Sequence, residues 1–120
     1  MAFRSLVFSR PLPLDMYEPE PVYYLNQVAP RFRYLDGKRT DECLGYVYTG
    51  TNTETYRQIQ VFVGQAQPLI TPEELEELHL EGKKIFVEFI DATVRPYYSE
   101  RTKSIEDSLK AKDVKQVVVN

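Results

Sequence analysis

Two adjacent patterns decide the fold class: Gln58-Ile-Gln-Val-Phe-Val63, followed eight residues later by Thr71-Pro-Glu-Glu74. The first alternates apolar and other residues, which predicts a strand over 56–63. Its inward-facing side chains are Ile59, Val61 and Val63. The second combines an N-cap hydroxyl, proline at the first helical position and a glutamate three residues after the cap, and it predicts a short helix over about 72–80.

Strand patterns continue on both sides of this segment. Asp36-Gly37-Lys38 is a turn signal between the first two strands, because glycine after aspartate readily adopts a positive φ. Residues 99–109 are polar and predict a long connection, with a helical turn at 105–109. The other strands are predicted over 22–35, 41–49, 84–94 and 112–119.

The resulting order, β-β-β-α-β-β, predicts a mainly β fold with one short helix. A five-stranded Greek-key barrel of the OB type, with its helix between the third and fourth strands, has this order. Other α+β rolls share the same order, so the barrel is an interpretation rather than a consequence.

The N-terminal residues have a different texture. Four prolines, at positions 11, 13, 19 and 21, exclude a continuous helix or central strand there. We therefore divide the chain into a proline-rich arm, 1–22, carrying at most an edge strand, and an OB-like barrel domain, 23–120.

Composition excludes several classes of protein. The 120 residues fit one domain, with 15 basic and 18 acidic residues and a formal charge of −3. One cysteine permits no internal disulfide and no cysteine-rich zinc site. No apolar run reaches the ~20 residues of a membrane span, and we expect no signal peptide. We expect a cytoplasmic protein that contacts no membrane; its oligomeric state stays open.

Residues that could carry catalysis are few. The single histidine, His79, lies near the end of the predicted helix, where a favourable interaction with the helix dipole explains it. Cys43 lies in a predicted strand and is interpreted as a small buried apolar residue. Glycine-rich phosphate-binding loops are missing from the sequence. We therefore predict a protein that is not an enzyme and that holds no cofactor and no metal.

Basic and aromatic residues alternate near the predicted loops and the third strand. Cations that hold a phosphate backbone and rings that stack on bases are typical of single-strand binding. The predicted nucleic-acid-binding residues are Arg33, Lys38, Arg39, Arg57, Phe62, Arg95, Tyr97, Tyr98, Arg101 and Lys103.

Three segments resemble small proteins of integrative and conjugative elements from Gram-positive bacteria, the HelP-like helicase processivity factors. They are RYLDGKRTDE at 33–42, YRQIQV at 56–61 and SLKAKDV at 108–114. The resemblance spans about residues 31–118 and includes no catalytic motif. It implies an OB-like accessory protein that assists a relaxase and a helicase during replication and transfer. The proline-rich start and the 91–110 connection depart from that family.

Two other functions remain open from the sequence. The protein could be an interaction module that uses the acidic helix face, 73–81, or an exposed strand edge, without touching nucleic acid. It could also be a structural protein of a phage or mobile element whose N-terminal arm exchanges between subunits.

Overall fold

The computed structural model describes residues 12–14 and 22–118. Within them the chain is mainly β with one short helix, as predicted. The elements are β1 Leu12–Pro13, β2 Tyr23–Leu35, β3 Lys38–Asn52, β4 Gln58–Val63, α1 Pro72–Leu80, β5 Phe86–Ile90, β6 Thr93–Ser99, β7 Ser104–Ala111 and β8 Asp113–Val117.

The described strands form one sheet in the order β1-β6-β7-β4-β3-β2-β5-β8. Most neighbours are antiparallel, but β4 and β7 pair in parallel through Phe62 with Lys110 and Val63 with Ala111. The hydrogen-bonded order begins at β1 and ends at β8 without returning, so the sheet is not closed. The predicted five-stranded Greek-key barrel is therefore not confirmed.

The β2–β3 hairpin is the longest pairing in the sheet. Asp36 and Gly37 have φ values of 52° and 78°, so the predicted turn forms. The second strand starts at Lys38 rather than at 41, because Leu35 pairs with Lys38 directly across that turn. The pairing shifts between Arg31 opposite Gly45 and Phe32 opposite Cys43, and this bulge leaves Leu44 exposed rather than on the face of Tyr48.

The core lies against one face of β4, as the alternation predicts. Ile59, Val61 and Val63 are buried, and they join a cluster with Leu25, Tyr48, Val87 and Phe89. Removing such side chains from water is the main stabilising contribution to a domain of this size. Because successive strand residues point to opposite faces, Gln58, Gln60 and Phe62 lie on the outer face of β4.

The helix begins and ends as its sequence predicts. Thr71 Oγ1 accepts from the Glu74 N–H, and the Glu74 carboxylate accepts from the Thr71 N–H. Gly82, at φ 77°, donates to His79 O, while the Lys83 N–H donates to Leu78 O; this is a Schellman motif. Leu75 is the helical side chain buried in the core.

The predicted connection over 91–110 is wrong, because this region is a β-hairpin. Asp91, at φ 50°, interrupts the ladder and separates β5 from β6. β6 then pairs with β7 from Thr93 opposite Lys110 to Ser99 opposite Ser104. The last strand, predicted over 112–119, is observed as β8, Asp113–Val117.

Part of the proline-rich arm belongs to the sheet. Leu12 and Pro13 pair with Val94 and Thr93 of β6, and the Leu14 N–H donates to Ala92 O at 2.9 Å. The Leu14 side chain is only 4% exposed. The rest of the predicted arm, 1–11 and 15–21, lies outside the described residues.

Candidate nucleic-acid interface

A cleft of about 550 Å³ lies between the outer face of β4 and the β6–β7 hairpin. Residues of five strands line it, β2, β3, β4, β6 and β7, because β4 pairs with β3 on one side and with β7 on the other. Its lining residues are Arg31, Val47, Arg57, Gln58, Ile59, Gln60, Phe62, Arg95, Tyr97, Ser108, Leu109 and Lys110.

Strand register determines which side chains enter this cleft. Phe62 of β4 pairs with Val47 of β3 on one side and with Lys110 of β7 on the other. Residues that pair directly across a sheet share a face, so all three line the cleft together. Arg95 and Tyr97 are two residues apart in β6, so they share a face as well.

The charged side chains described in the cleft have one sign. Over the part of the chain that the structure describes, the lining contains no carboxylate and four cations: Arg31, Arg57, Arg95 and Lys110. This set contrasts with the formal charge of −3 for the whole chain. A concave surface lined by one sign of charge concentrates its field and attracts anions more strongly than the net charge implies.

Aromatic surface lies beside these cations. The Arg31 guanidinium carbon is 4.9 Å from the centroid of the Phe62 ring, and Tyr97 is 43% exposed. Rings and guanidinium planes both stack on unpaired bases. The cleft therefore combines cations, which are able to pair with phosphates, and rings, which are able to stack on bases.

Four of the predicted site residues line the cleft, and six lie outside it. Inside are Arg57, Phe62, Arg95 and Tyr97. Tyr98 follows Tyr97 in β6 and so points to the other face of the strand. Arg101 and Lys103 belong to the turn between β6 and β7.

The other three predicted residues lie around the β2–β3 turn. Arg33 forms an ion pair with Glu42 at 2.6 Å. Arg39 lies over the Phe32 ring at 4.7 Å, and Lys38 is exposed at the start of β3. Three of the predicted binding residues therefore lie around the β2–β3 turn, which contributes none of the described lining residues of the cleft.

Two cations of the cleft were not among the predicted site residues. Arg31 lies in β2 on the same face of the sheet as Phe62. This relation follows from the register of β2 with β3 and of β3 with β4, which the sequence does not show. Lys110 belongs to a hairpin that the sequence analysis interpreted as a connection. No signal in the sequence places Lys110 beside Phe62, because their pairing joins strands 48 positions apart.

The residues considered for catalysis lie apart from each other. His79 Nε2 is 3.1 Å from Leu25 O, and its ring stacks on Tyr24 at 5.6 Å. Cys43 is exposed, so its interpretation as a buried apolar residue is wrong; its Sγ lies 3.3 Å from Gly45 O. Over residues 12–14 and 22–118, no group of three or more His, Cys, Asp or Glu side chains could hold a metal ion.

Comparisons with protein-family models, with curated proteins and with solved structures gave no match for this chain. The resemblance to conjugative-element proteins therefore stays a prediction. Within the described part of the chain, no helix is long and apolar enough to cross a membrane.

Proposed function

We propose that this protein is a non-catalytic accessory protein that binds single-stranded DNA in the cleft between β4 and the β6–β7 hairpin. One observation carries the proposal: the lining side chains that the structure describes comprise four cations, two exposed or half-exposed rings and no carboxylate. Single-strand binding surfaces combine a cationic groove with stacking rings in this way.

We further propose an OB-type barrel as the fold that carries this site. Lys112 alone separates β7 from β8, and its N–H donates to Ile90 O at 2.9 Å. If β7 and β8 are treated as one bent strand, β4 pairs with its first half and β5 with its second. The pairings then return from β5 through β2 and β3 to β4, which completes a circuit of five strands. The parallel pair, β4 with β7, then joins the third and the last strand of that barrel.

In an OB-type barrel the cleft would lie on the face that commonly binds oligonucleotides. OB domains bind oligonucleotides on the outer face of their second and third strands. In this chain those strands correspond to β3 and β4, whose outer residues Val47 and Phe62 line the cleft.

The first test is fluorescence anisotropy of a labelled oligo-dT of about 16 nucleotides. We expect saturable binding that weakens with salt. Arg31→Ala and Phe62→Ala should each weaken it about 5-fold or more, since one stacked base contributes about 1–3 kcal/mol. The double variant Arg57→Glu/Arg95→Glu should abolish it.

The chain offers matched controls for Arg31→Ala and Phe62→Ala. Arg39 and Phe32 form the same kind of cation–π pair outside the cleft. Arg39→Ala and Phe32→Ala should leave the affinity within about twofold. If they weaken binding as much as the cleft variants do, the β2–β3 hairpin is the binding surface. If the folded protein binds no oligonucleotide at low salt, the proposal is wrong and an interaction module without nucleic-acid binding replaces it.

The role in replication or conjugation of a mobile element rests on the resemblance over 31–118. It implies that a helicase or relaxase acts on the same DNA. Adding the protein to a helicase of the host should lengthen the tracts that the helicase unwinds. The Arg57→Glu/Arg95→Glu variant should lose that effect, and an unchanged effect would assign it to protein contacts alone.

A further inference from the structure

A second pocket, of about 360 Å³, opens on the sheet beside the loop that joins β3 to β4. Tyr24, Tyr56 and Phe86 provide its aromatic walls, and we call it the aromatic pocket. Lys84 is the one charged side chain among its described lining residues. Phe86 meets Tyr24 edge-on, with the ring centroids 6.1 Å apart.

Tyr56 is presented to solvent by a backbone that is unusual for its residue type. Its side chain is 80% exposed, and its φ is 61°, in the left-handed region that a bulky residue rarely adopts. The buried Asn52 holds the loop in place, since its Oδ1 accepts from the Glu54 and Thr55 N–H groups. Its backbone O also accepts from the Tyr56 N–H at 2.9 Å.

This arrangement is costly for an aromatic side chain that the core does not use. A strained, exposed and well-anchored ring is typical of residues that contact a ligand. The loop also continues directly into Arg57, which lines the cleft.

Strand register joins the aromatic pocket to the cleft across one face of the sheet. Phe86 pairs with Tyr24, Tyr24 with Thr51 and Thr51 with Gln58. Directly paired residues share a face, and Gln58 lines the cleft. The row crosses three strand spacings, about 14 Å in total.

We propose that a single strand leaving the cleft follows this row and places one unstacked base in the aromatic pocket, where Lys84 contacts its phosphate. The inference rests on the single-strand binding proposed above. The aromatic pocket would be a second stacking site. Affinity should therefore keep rising with oligonucleotide length after the cleft itself is filled.

The test compares labelled oligo-dT of about 6 and about 16 nucleotides, within the range of site sizes of single OB domains. The variant is Tyr56→Asn, because asparagine tolerates a positive φ and removes the ring without straining the loop. The control is Tyr34→Asn, which removes another highly exposed ring, 64% exposed and close to the β2–β3 turn. A thermal melt of each variant establishes that it is folded.

We expect Tyr56→Asn to weaken binding of the longer oligonucleotide about 5- to 100-fold and to leave the shorter one within about twofold. Lys84→Gln should weaken binding of the longer oligonucleotide and reduce the salt dependence of that binding. Tyr34→Asn should change neither.

If wild-type protein binds both lengths, two results overturn the inference while the proposed function stands. In the first, Tyr56→Asn has no effect on binding of either oligonucleotide. In the second, it weakens binding of both equally. Failure of wild-type protein to bind either length overturns the inference and the proposed function together.

Discussion

At the scale of single residues, Gly45 shows how closely two strands approach beside the bulge in β3. A Cβ built at this position would lie 2.3 Å from Val63 O, a backbone atom that cannot move aside. Its φ of 155° is also unfavourable for other residues. The approach matters for the site, because Phe62, which lines the cleft, precedes Val63 in β4.

We expect Gly45→Ala to lower the free energy of unfolding by about 1–3 kcal/mol, the usual cost of forcing atoms into an occupied space. Urea denaturation followed by circular dichroism measures this. Gly64→Ala is the matched control, since the nearest atom to its added Cβ is a Phe62 ring carbon at 3.7 Å. Equal losses in both variants would contradict the assigned role of the close approach.

Regular strands and bulged strands differ in how well their sequences predict which face a side chain is on. Ile59, Val61 and Val63 were placed correctly because a regular strand alternates its faces. Leu44 and Cys43 were placed wrongly, because one extra residue at the bulge reverses the parity on one side of it. A bulge depends on how two strands are paired, and neither strand by itself shows where the pairing shifts.

At the scale of secondary-structure elements, the two-residue β1 links the N-terminal part of the chain to the β6–β7 hairpin. Among the described strands β1 pairs with β6 alone, and β6 carries Arg95 and Tyr97 of the cleft. Leu14 follows β1 and joins the main core. Part of the N-terminal arm is therefore expected to contribute to the stability of the domain.

We expect Leu14→Ala to lower the free energy of unfolding by about 2–5 kcal/mol, the range for a leucine removed from a packed core. Leu80→Ala removes the same atoms from a leucine that is 82% exposed, so it should cost less than about 0.5 kcal/mol. Chemical denaturation of both variants provides the comparison. A Leu14→Ala protein as stable as the wild type would mean that the arm is dispensable for folding.

The helix and the late hairpin show why some elements are easier to predict than others. The helix is specified by local contacts, such as the bonds between Thr71 and Glu74, and local contacts can be read from adjacent residues. In the β7 strand, SIEDSLKA, Asp107 breaks the apolar alternation of Ile105, Leu109 and Ala111. This segment is a strand because it pairs with β6 and β4. Those partners are distant contacts that its own residues do not reveal, so the sequence alone predicted a polar connection.

At the scale of the whole molecule, charge is distributed unevenly. The helix carries exposed glutamates on its surface, while four cations gather in the cleft. The net charge of −3 keeps non-specific attraction to DNA weak. Binding is therefore expected to depend on the local contacts of the cleft.

The salt dependence of binding follows from that distribution. If the four cations of the cleft each contact a phosphate, the logarithm of the association constant should fall with the logarithm of salt concentration with a slope of about −3. Arg57→Ala/Arg95→Ala should reduce the slope to about −1.4. Anisotropy titrations at several salt concentrations measure both slopes, and an unchanged slope in the double variant would exclude these two side chains from phosphate contact.

The sequence by itself determined the elements whose stability is local: the alternating strand β4, the capped helix α1, the Asp36-Gly37 turn and the mainly β class. It also indicated Arg57, Phe62, Arg95 and Tyr97 as residues able to bind a single strand. Only the tertiary structure decided that these four share one cleft, that Arg31 and Lys110 join them and that the β2–β3 turn does not. The physical reason is that strand pairing joins residues far apart in the chain, and its register depends on bulges and partner strands that no single segment encodes.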